Sequence, residues 1–297
     1  MRIEIIGAGA VGLLVASYFA EQKIDVHIVG KPSENIVHSD IRITRTNTNH
    51  SISSIQIKKI PDVTNKADLI VVAVKYGQLH EVYASIERVA HSIPVVFLQN
   101  GLAHYEEALA LSIQHIAFCS VQFGAQKLSN DHVAHKGQGA MKVAVAKGVR
   151  EKFSFLTNLS SKQLPIVWEQ NAELMLMEKA LLNSLINPLT AILQLKNGQL
   201  ITENYAFQLL EDLYKELMMT FPQFEEIVRF EQVVALCEKT AENTSSMLAD
   251  RLANRKTEIE TIAGAILQKA ARNNKKMPIL QTLYLLVKAS EESGEKT

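Results

Sequence analysis

Hydrophobic and polar positions change their spacing about halfway along the chain. In the first half, short β-branched and apolar runs alternate with stretches of helical periodicity. This pattern predicts strands at 2–6, 25–29, 40–45, 54–60, 68–74 and 94–98, and helices at 10–22 and 78–91. Strands that alternate with helices favour a parallel sheet with helices on both faces.

The pattern of the second half differs. The segment 115–146 is still strand-like and contains glycines, and we expect it to form the antiparallel edge of the same sheet. From about Asn171 to Ser290 helical periodicity replaces the β-like runs. We therefore predict an α/β domain over residues 1–168 and an all-helical domain over residues 169–297, connected around Pro165.

Composition narrows the classes of function. The 297 residues carry 31 Lys and Arg against 31 Asp and Glu, so the basic excess typical of a nucleic-acid binder is absent from the sequence. The apolar run at 5–20 is shorter than the roughly 20 residues of a membrane span. Two cysteines, Cys119 and Cys237, indicate a reduced, cytoplasmic protein rather than a disulfide framework. We expect neither nucleic acid nor membrane as a partner.

A glycine motif joins the first predicted strand to the first helix. It consists of Gly7, Ala8, Gly9, Ala10, Val11 and Gly12. In G-x-G-x-x-G the first glycine permits a tight turn, the second lets the backbone approach a diphosphate, and the third lets helix and strand pack closely. With a strand before it and a helix after it, the motif predicts dinucleotide binding. A tight turn without a ligand is the alternative.

The end of the second strand distinguishes the two nicotinamide cofactors. An NAD site usually has Asp or Glu there for the ribose 2′-OH, whereas this chain has Gly30, Lys31, Pro32 and Ser33. A cation would attract a 2′-phosphate. We therefore predict NADP(H), with Lys31 as the phosphate contact and Ser33 as a weaker candidate. The alternative is that Lys31 is a solvated loop lysine.

Polar residues also follow two further strands. Lys75 follows the run at 68–74, and Asn100 follows the strand at 94–98. Ligands of open α/β sheets bind beyond the carboxyl ends of the strands, so both side chains are well placed. Lys75 could instead be a solvated lysine at a helix start, and Asn100 could be a turn residue paired with Gly101.

A polar stripe runs along the first helix of the second half. Lys179, Asn183 and Asn187 are spaced i, i+4 and i+8 and therefore share one face. The rest of the helix is apolar nearly all round, which is typical of a buried helix. Buried Lys and Asn need partners or a ligand, so we predict that the stripe lines a cleft rather than being a solvated face. Pro188 is expected to kink or interrupt the helix at Asn187.

A second polar segment lies further on. Asn243, Ser246 and Glu258 lie near the predicted starts of later helices. From the residues alone, Ser246 is an ordinary N-cap candidate and Glu258 an ordinary first-turn acid.

Together, five ordered motifs resemble the ketopantoate reductase (2-dehydropantoate 2-reductase) family over nearly the whole chain. They are GAGAVG at 7–12, VKYGQ at 74–78, QNG at 99–101, KALLNSLINPLTA at 179–191 and NTSSMLADRLANRKTEIETIAG at 243–264. The resemblance implies an N-terminal Rossmann-like α/β domain and an all-α C-terminal domain of the 6-phosphogluconate-dehydrogenase-like type. It also implies NADPH-dependent reduction of ketopantoate to pantoate.

The resemblance also assigns roles to individual residues. It makes Lys179 the general acid and Glu258 the acid that binds the substrate hydroxyl and helps to organise the site. The substrate contacts that it implies are Asn183, Asn187, Ser246, Asn100 and Asn243. Asn100, Glu258 and Lys75 would also contact the cofactor, along with the glycine motif and Lys31. The chemistry is consistent, because a cation beside a ketone oxygen stabilises the developing alkoxide.

Several alternatives stay open. Ala249, Ala263 and the pair Leu102-Ala103 depart from the family pattern, which leaves room for a related NAD(P)H-dependent reductase of another 2-oxo acid. A non-catalytic NADP(H) sensor is a third hypothesis, whose mark would be loss of Lys179 or Glu258. The nine His residues show no ligand spacing, so no metal is expected. The sequence leaves open whether the protein forms a homodimer.

Overall fold

The computed structural model describes residues 1–30 and 39–294. Eleven strands in this part of the chain form one sheet. They are β1 (Arg2–Ile6), β2 (Asp25–Val29), β3 (Ser39–Thr46), β4 (Ile52–Ile60), β5 (Leu69–Val72), β6 (Val95–Phe97), β7 (Ile116–Val121), β8 (Gly124–Lys127), β9 (His132–Gly137), β10 (Met141–Lys147) and β11 (Ile166–Trp168). The strands expected from the pattern are all present, with ends shifted by at most two residues.

Ten α-helices occur among the described residues. They are α1 (Ala10–Glu21), α2 (Leu79–Val89), α3 (Ala103–Ala110), α4 (Ala172–Leu193), α5 (Gln199–Thr202), α6 (Asn204–Thr220), α7 (Phe230–Lys239), α8 (Ser246–Leu252), α9 (Ala265–Arg272) and α10 (Pro278–Gly294). A π-helical turn at Glu260–Gly264 leads directly into α9. No helix in the described ranges is both long and apolar enough to cross a bilayer.

The strand order is β11-β10-β7-β6-β5-β1-β2-β4-β3-β9-β8. From β7 to β4 the neighbours run parallel, and β1 lies between β5 and β2. Since all four residues of β5 are buried, its continuous apolar run reflects coverage of both sheet faces. The parallel sheet and its helices confirm the Rossmann-like expectation for the first part of the chain.

The expectation for 115–146 was wrong in one respect, because this segment does not form a single antiparallel edge. Strand β7 extends the parallel sheet beside β6, and β10 pairs with it antiparallel. Strands β8 and β9 form an antiparallel ribbon at the opposite end of the sheet, where β9 runs parallel to β3. Local hydropathy predicts strands but does not say which distant strand each will pair with.

A buried polar network fixes the β8–β9 ribbon against α1. Tyr18 of α1 shares a 2.7 Å hydrogen bond with Nδ1 of His135 in β9. Arg45 of β3 stacks 3.7 Å from the centre of the Tyr18 ring and donates to both carboxylate oxygens of Glu21 at 2.7 Å. Arg45 is only 3% exposed, so this pairing offsets the cost of burying its charge. The network therefore fixes α1, β3 and β9 relative to one another.

The chain divides into two compact units. The first consists of Met1–Gln99 and His104–Met175, and the second of Asn100–Ala103 and Leu176–Thr297. The second unit is helical, with a core that includes Leu185, Leu210 and Ile266. The four residues Asn100–Ala103 belong to this helical unit although they lie within the sequence of the first.

Pro188 does not interrupt its helix, so this part of the expectation of a kink or an interruption was wrong. Helix α4 continues through it to Leu193. Proline removes the N–H that would bond to the carbonyl four residues earlier, at Ser184. The hydroxyl of Thr190 bonds to the carbonyls of Ile186 and Asn187 at 2.9 and 3.0 Å, and Leu185 and Leu189 are fully buried. Packing therefore outweighs the local cost of the proline.

Candidate active site

The glycine motif follows a backbone path that side chains would block. Gly7 has φ +113°, and a Cβ there would lie 2.9 Å from the backbone of Ala73 and Val74. A Cβ on Gly12 would lie 2.0 Å from the carbonyl oxygen of Gly7. At Gly9 the nearest atom to such a Cβ is 4.0 Å away. Gly7 and Gly12 therefore serve the packing of the loop, whereas Gly9 leaves open space above it.

The loop ends at the first turn of α1, where an anion would be stabilised. Gly9 precedes the helix without a side-chain cap, and the first turn carries no acidic residue. Backbone N–H groups of a first turn have no partner within their helix, and the helix dipole adds partial positive charge. The open space at Gly9 and the uncapped turn fit a dinucleotide diphosphate. Lys31 and Ser33 lie outside the described residues.

One other predicted position, Lys75, lies beyond a strand of the same unit, and Gln99 of the QNG motif supports it. Lys75 is exposed and precedes a 3₁₀ turn at Tyr76–Gln78. Gln99, which is 6% exposed, donates from Nε2 to the carbonyls of Val72 and Val74 at 3.1 and 2.9 Å. Gln99 thereby fixes the end of β5 just before Lys75.

Three predicted residues of the helical unit are joined in one hydrogen-bonded row. The ammonium of Lys179 donates to Oδ1 of Asn100 at 2.7 Å. Nδ2 of Asn100 donates to Oε2 of Glu258 at 2.9 Å. A lysine ammonium can only donate and an ionised carboxylate can only accept, so chemistry alone settles which way the Asn100 amide faces. Residues that are 79 and 158 positions apart in sequence thus form one constellation.

Backbone geometry brings Asn100 to this place. Gly101 has φ +83°, and a Cβ there would lie 2.0 Å from the carbonyl oxygen of Thr261. The same carbonyl accepts a 3.0 Å hydrogen bond from the N–H of Leu102. Thr261 belongs to the π turn, and such turns occur frequently at functional sites. The Asn100-Gly101 pair thus packs against the π turn at Thr261 and is not an ordinary surface turn.

Side chains of α10 bind the residues on both sides of Glu258. The backbone N–H and the hydroxyl of Thr257 both donate to Oε1 of Glu291, each at 2.7 Å. On the other side, Tyr284 donates to Glu260 at 2.6 Å, and this hydrogen bond raises the pKa of Tyr284 to about 12. Two contacts from α10 therefore flank Glu258 and restrict its backbone.

The polar stripe lies on α4 as predicted. Lys179 and Asn183 are half-buried, and Asn187 is 6% exposed. In residues 1–30 and 39–294, the side-chain amides of Asn183 and Asn187 have no hydrogen-bond partner from the protein. Neither amide belongs to the fully buried side-chain atoms that lack a hydrogen-bond partner, so both remain accessible to a polar ligand.

Ser246 is exposed at the first position of α8, but it is not the cap. The cap is Ser245, whose hydroxyl accepts from the N–H of Leu248 at 3.1 Å and lies 2.7 Å from the hydroxyl of Thr190. This pair ties the start of α8 to α4. Asn243 is exposed, and its carbonyl accepts from the N–H of Asn197 at 3.1 Å.

The sequence did not identify the residues that support this site. Thr190 contacts Ser245, and Thr257 contacts Glu291, and the partners in each pair are far apart in sequence. Only Ser245 carried a local signal, as a serine before a helix. Of the histidines, His104 is fully buried, and burial lowers its pKa to about 3. His104 is therefore neutral and unsuited to proton transfer at neutral pH. No group of three metal-ligating side chains is found in the described residues.

Comparison with known families gives two matches. The model described as "Ketopantoate reductase PanE/ApbA" matches residues 3–148. The model described as "Ketopantoate reductase PanE/ApbA C terminal" matches residues 171–291. Together they cover most of the chain and include all five motifs.

Individual proteins give the same picture. The chain is 32% identical to the 2-dehydropantoate 2-reductase of Bacillus subtilis over 100% of its own length and 99% of that protein. A crystal structure described as a probable 2-dehydropantoate 2-reductase from the same organism has a TM-score of 0.86 at 31% identity, covering 98% of this chain and 100% of the other. D-mandelate dehydrogenase, solved with NADH and anilino(oxo)acetate, has a TM-score of 0.85 at 23% identity over 99% and 100% of the two chains. This last similarity concerns the fold alone.

A substitution at Gly101 tests whether its close approach to the Thr261 carbonyl stabilises the protein. Gly101→Ala should lower the free energy of unfolding by about 1–3 kcal/mol, because alanine strains the positive φ and collides with the Thr261 carbonyl. Gly77→Ala is the matched control, since no atom lies within 4 Å of a Cβ there. Urea unfolding measures both variants. Equal stability of Gly101→Ala and wild type would contradict this role.

Proposed function

Because this chain belongs to the ketopantoate reductase family, we propose that it reduces 2-dehydropantoate (ketopantoate) to (R)-pantoate with NADPH, a step of pantothenate and coenzyme A synthesis. The observation that carries the proposal is the hydrogen-bonded row Lys179–Asn100–Glu258. Nζ of Lys179 lies 2.7 Å from Oδ1 of Asn100, and Nδ2 of Asn100 lies 2.9 Å from Oε2 of Glu258. The row joins a proton donor and a carboxylate that could bind the substrate hydroxyl.

The cofactor is a nicotinamide dinucleotide. Its reduced ring supplies the hydride for the 2-oxo carbon. The open space at Gly9 and the uncapped first turn of α1 support binding of its diphosphate. The finer assignment to NADP(H) is a proposal that rests on Lys31 in place of the usual acid after β2, with Lys75 as a second cation on the cofactor side.

Lys179 acts in this proposal as the general acid. Reduction of a ketone leaves negative charge on the oxygen, and an adjacent ammonium stabilises that charge and then donates its proton. Asn100 accepts one hydrogen bond from the ammonium and so restricts where Nζ lies.

The remaining contacts bind the substrate. Glu258 would accept a hydrogen bond from the terminal hydroxyl of ketopantoate and is oriented by the Nδ2 donor of Asn100. The unpaired amides of Asn183 and Asn187 and the exposed hydroxyl of Ser246 offer donors to a small carboxylate. Asn243 is proposed as an additional contact near the start of α8.

A substrate panel tests the reaction. Purified protein with NADPH should reduce ketopantoate with a higher kcat/KM than 2-oxo acids that lack the hydroxyl, because only ketopantoate offers Glu258 a donor. The loss of NADPH absorbance at 340 nm follows the reaction. A higher kcat/KM for a 2-oxo acid without the hydroxyl would indicate the related reductase instead. NADPH binding without turnover of any acid would indicate a sensor.

Removal of the proposed acid should separate chemistry from binding. Lys179→Ala is expected to lower kcat for ketopantoate by roughly 10²–10⁴-fold, the usual contribution of a general acid. The Kd for NADPH should change little. Lys215→Ala, an exposed lysine that pairs with Glu211 and Asp212 on α6, is the control. Turnover of Lys179→Ala at the wild-type rate would remove Lys179 from the mechanism.

The preference for NADPH should depend on Lys31. Lys31→Glu is expected to weaken NADPH binding by about tenfold or more and to reduce the preference over NADH, because a carboxylate repels the 2′-phosphate. Fluorescence titration of both cofactors gives the two Kd values. A wild-type protein that prefers NADH would overturn the assignment of Lys31.

A further inference from the structure

A lysine from the far ribbon of the sheet reaches the glycine motif. Lys127 is the last residue of β8, and its Nζ lies 3.0 Å from the carbonyl oxygen of Ala8, the second residue of the motif. The two residues are 119 positions apart in sequence. The ammonium therefore lies at the same loop as Gly9 and the first turn of α1.

The position of Lys127 is fixed by buried structure. Its strand pairs with β9, and β9 is tied to α1 through the 2.7 Å contact of His135 with Tyr18. The Arg45 guanidinium stacks on the same tyrosine, 3.7 Å from the centre of its ring. Because α1 begins at the glycine motif, the network that aligns the ribbon with α1 also aligns Lys127 with the motif.

The hydrogen bond to Ala8 does not account for this lysine. Lys127 is exposed, and among the described residues it forms no ion pair with a carboxylate. A single exposed hydrogen bond to a neutral carbonyl gains little against the entropy of ordering a long side chain. An ammonium has three donors, and Ala8 uses one of them.

We propose that Lys127 binds the diphosphate of the nicotinamide dinucleotide. The uncapped N–H groups of α1 and the Lys127 ammonium border the same loop, so two sources of positive charge act on one anion. The inference rests on the proposed function and extends it to a residue outside the five motifs. Since NADPH and NADH share the diphosphate, Lys127 contributes to binding of both, in contrast to Lys31.

Binding measurements on three variants test this role. Lys127→Met removes the charge and keeps the length, Lys127→Arg keeps the charge, and Lys136→Met removes an exposed lysine from the neighbouring strand β9. Kd values for NADPH, NADH and ADP-ribose, which contains the diphosphate but no nicotinamide, are measured by calorimetry at two salt concentrations. Adenosine 2′-monophosphate, which lacks the diphosphate, serves as the ligand control.

Lys127→Met should raise Kd for NADPH, NADH and ADP-ribose by about tenfold each, with a weaker salt dependence than wild type. It should leave adenosine 2′-monophosphate unaffected, and Lys127→Arg should stay within about threefold of wild type. Unchanged affinity, a loss confined to NADPH, or an equal loss in Lys136→Met would each overturn the inference. Failure of the wild-type protein to bind either dinucleotide would instead overturn the proposed function, and the inference with it.

Discussion

The side-chain amide of Asn100 holds a cation at one end and an anion at the other. Its oxygen accepts from Lys179 at 2.7 Å, and its nitrogen donates to Glu258 at 2.9 Å. An aspartate of the same shape would repel Glu258, and an apolar residue would leave both groups without this partner. The position of Asn100 in turn depends on the backbone of Gly101, on the Thr261 carbonyl and on the π turn that presents it. The proposed chemistry thus depends on a chain of backbone contacts.

Much of the fold was predictable because the responsible forces are local. Strand β1, the glycine motif and α1 follow from hydrophobic period and from the conformations that only glycine permits. The positions of Lys179, Asn183 and Asn187 on one helix follow from spacing alone. The motifs also placed Asn100 and Glu258 in one candidate site, and the structure brings both to Lys179.

The remainder depends on contacts that no local pattern encodes. The ribbon β8–β9 lies beyond β3 because Tyr18, Arg45 and His135 meet in the buried interior, far apart in sequence. Pro188 favours a helix break, yet buried side chains around it keep α4 continuous. Glu291 supports Glu258 through Thr257 across 34 residues of sequence. In each case tertiary packing, rather than local helix or strand propensity, decides the structure that forms.

Because Asn100–Ala103 belong to the helical unit, that unit is built from two separate segments of the sequence. A fragment that begins at Leu176 would encode Lys179 and Glu258 but would lack the amide that joins them. The two units are therefore not interchangeable modules. Exchange of the helical half with a relative by recombination near residue 170 would combine Asn100 and Gly101 of one parent with the Thr261 carbonyl of the other. Such chimaeras are constrained by whether residues Asn100–Ala103 of one parent still fit the helical unit of the other.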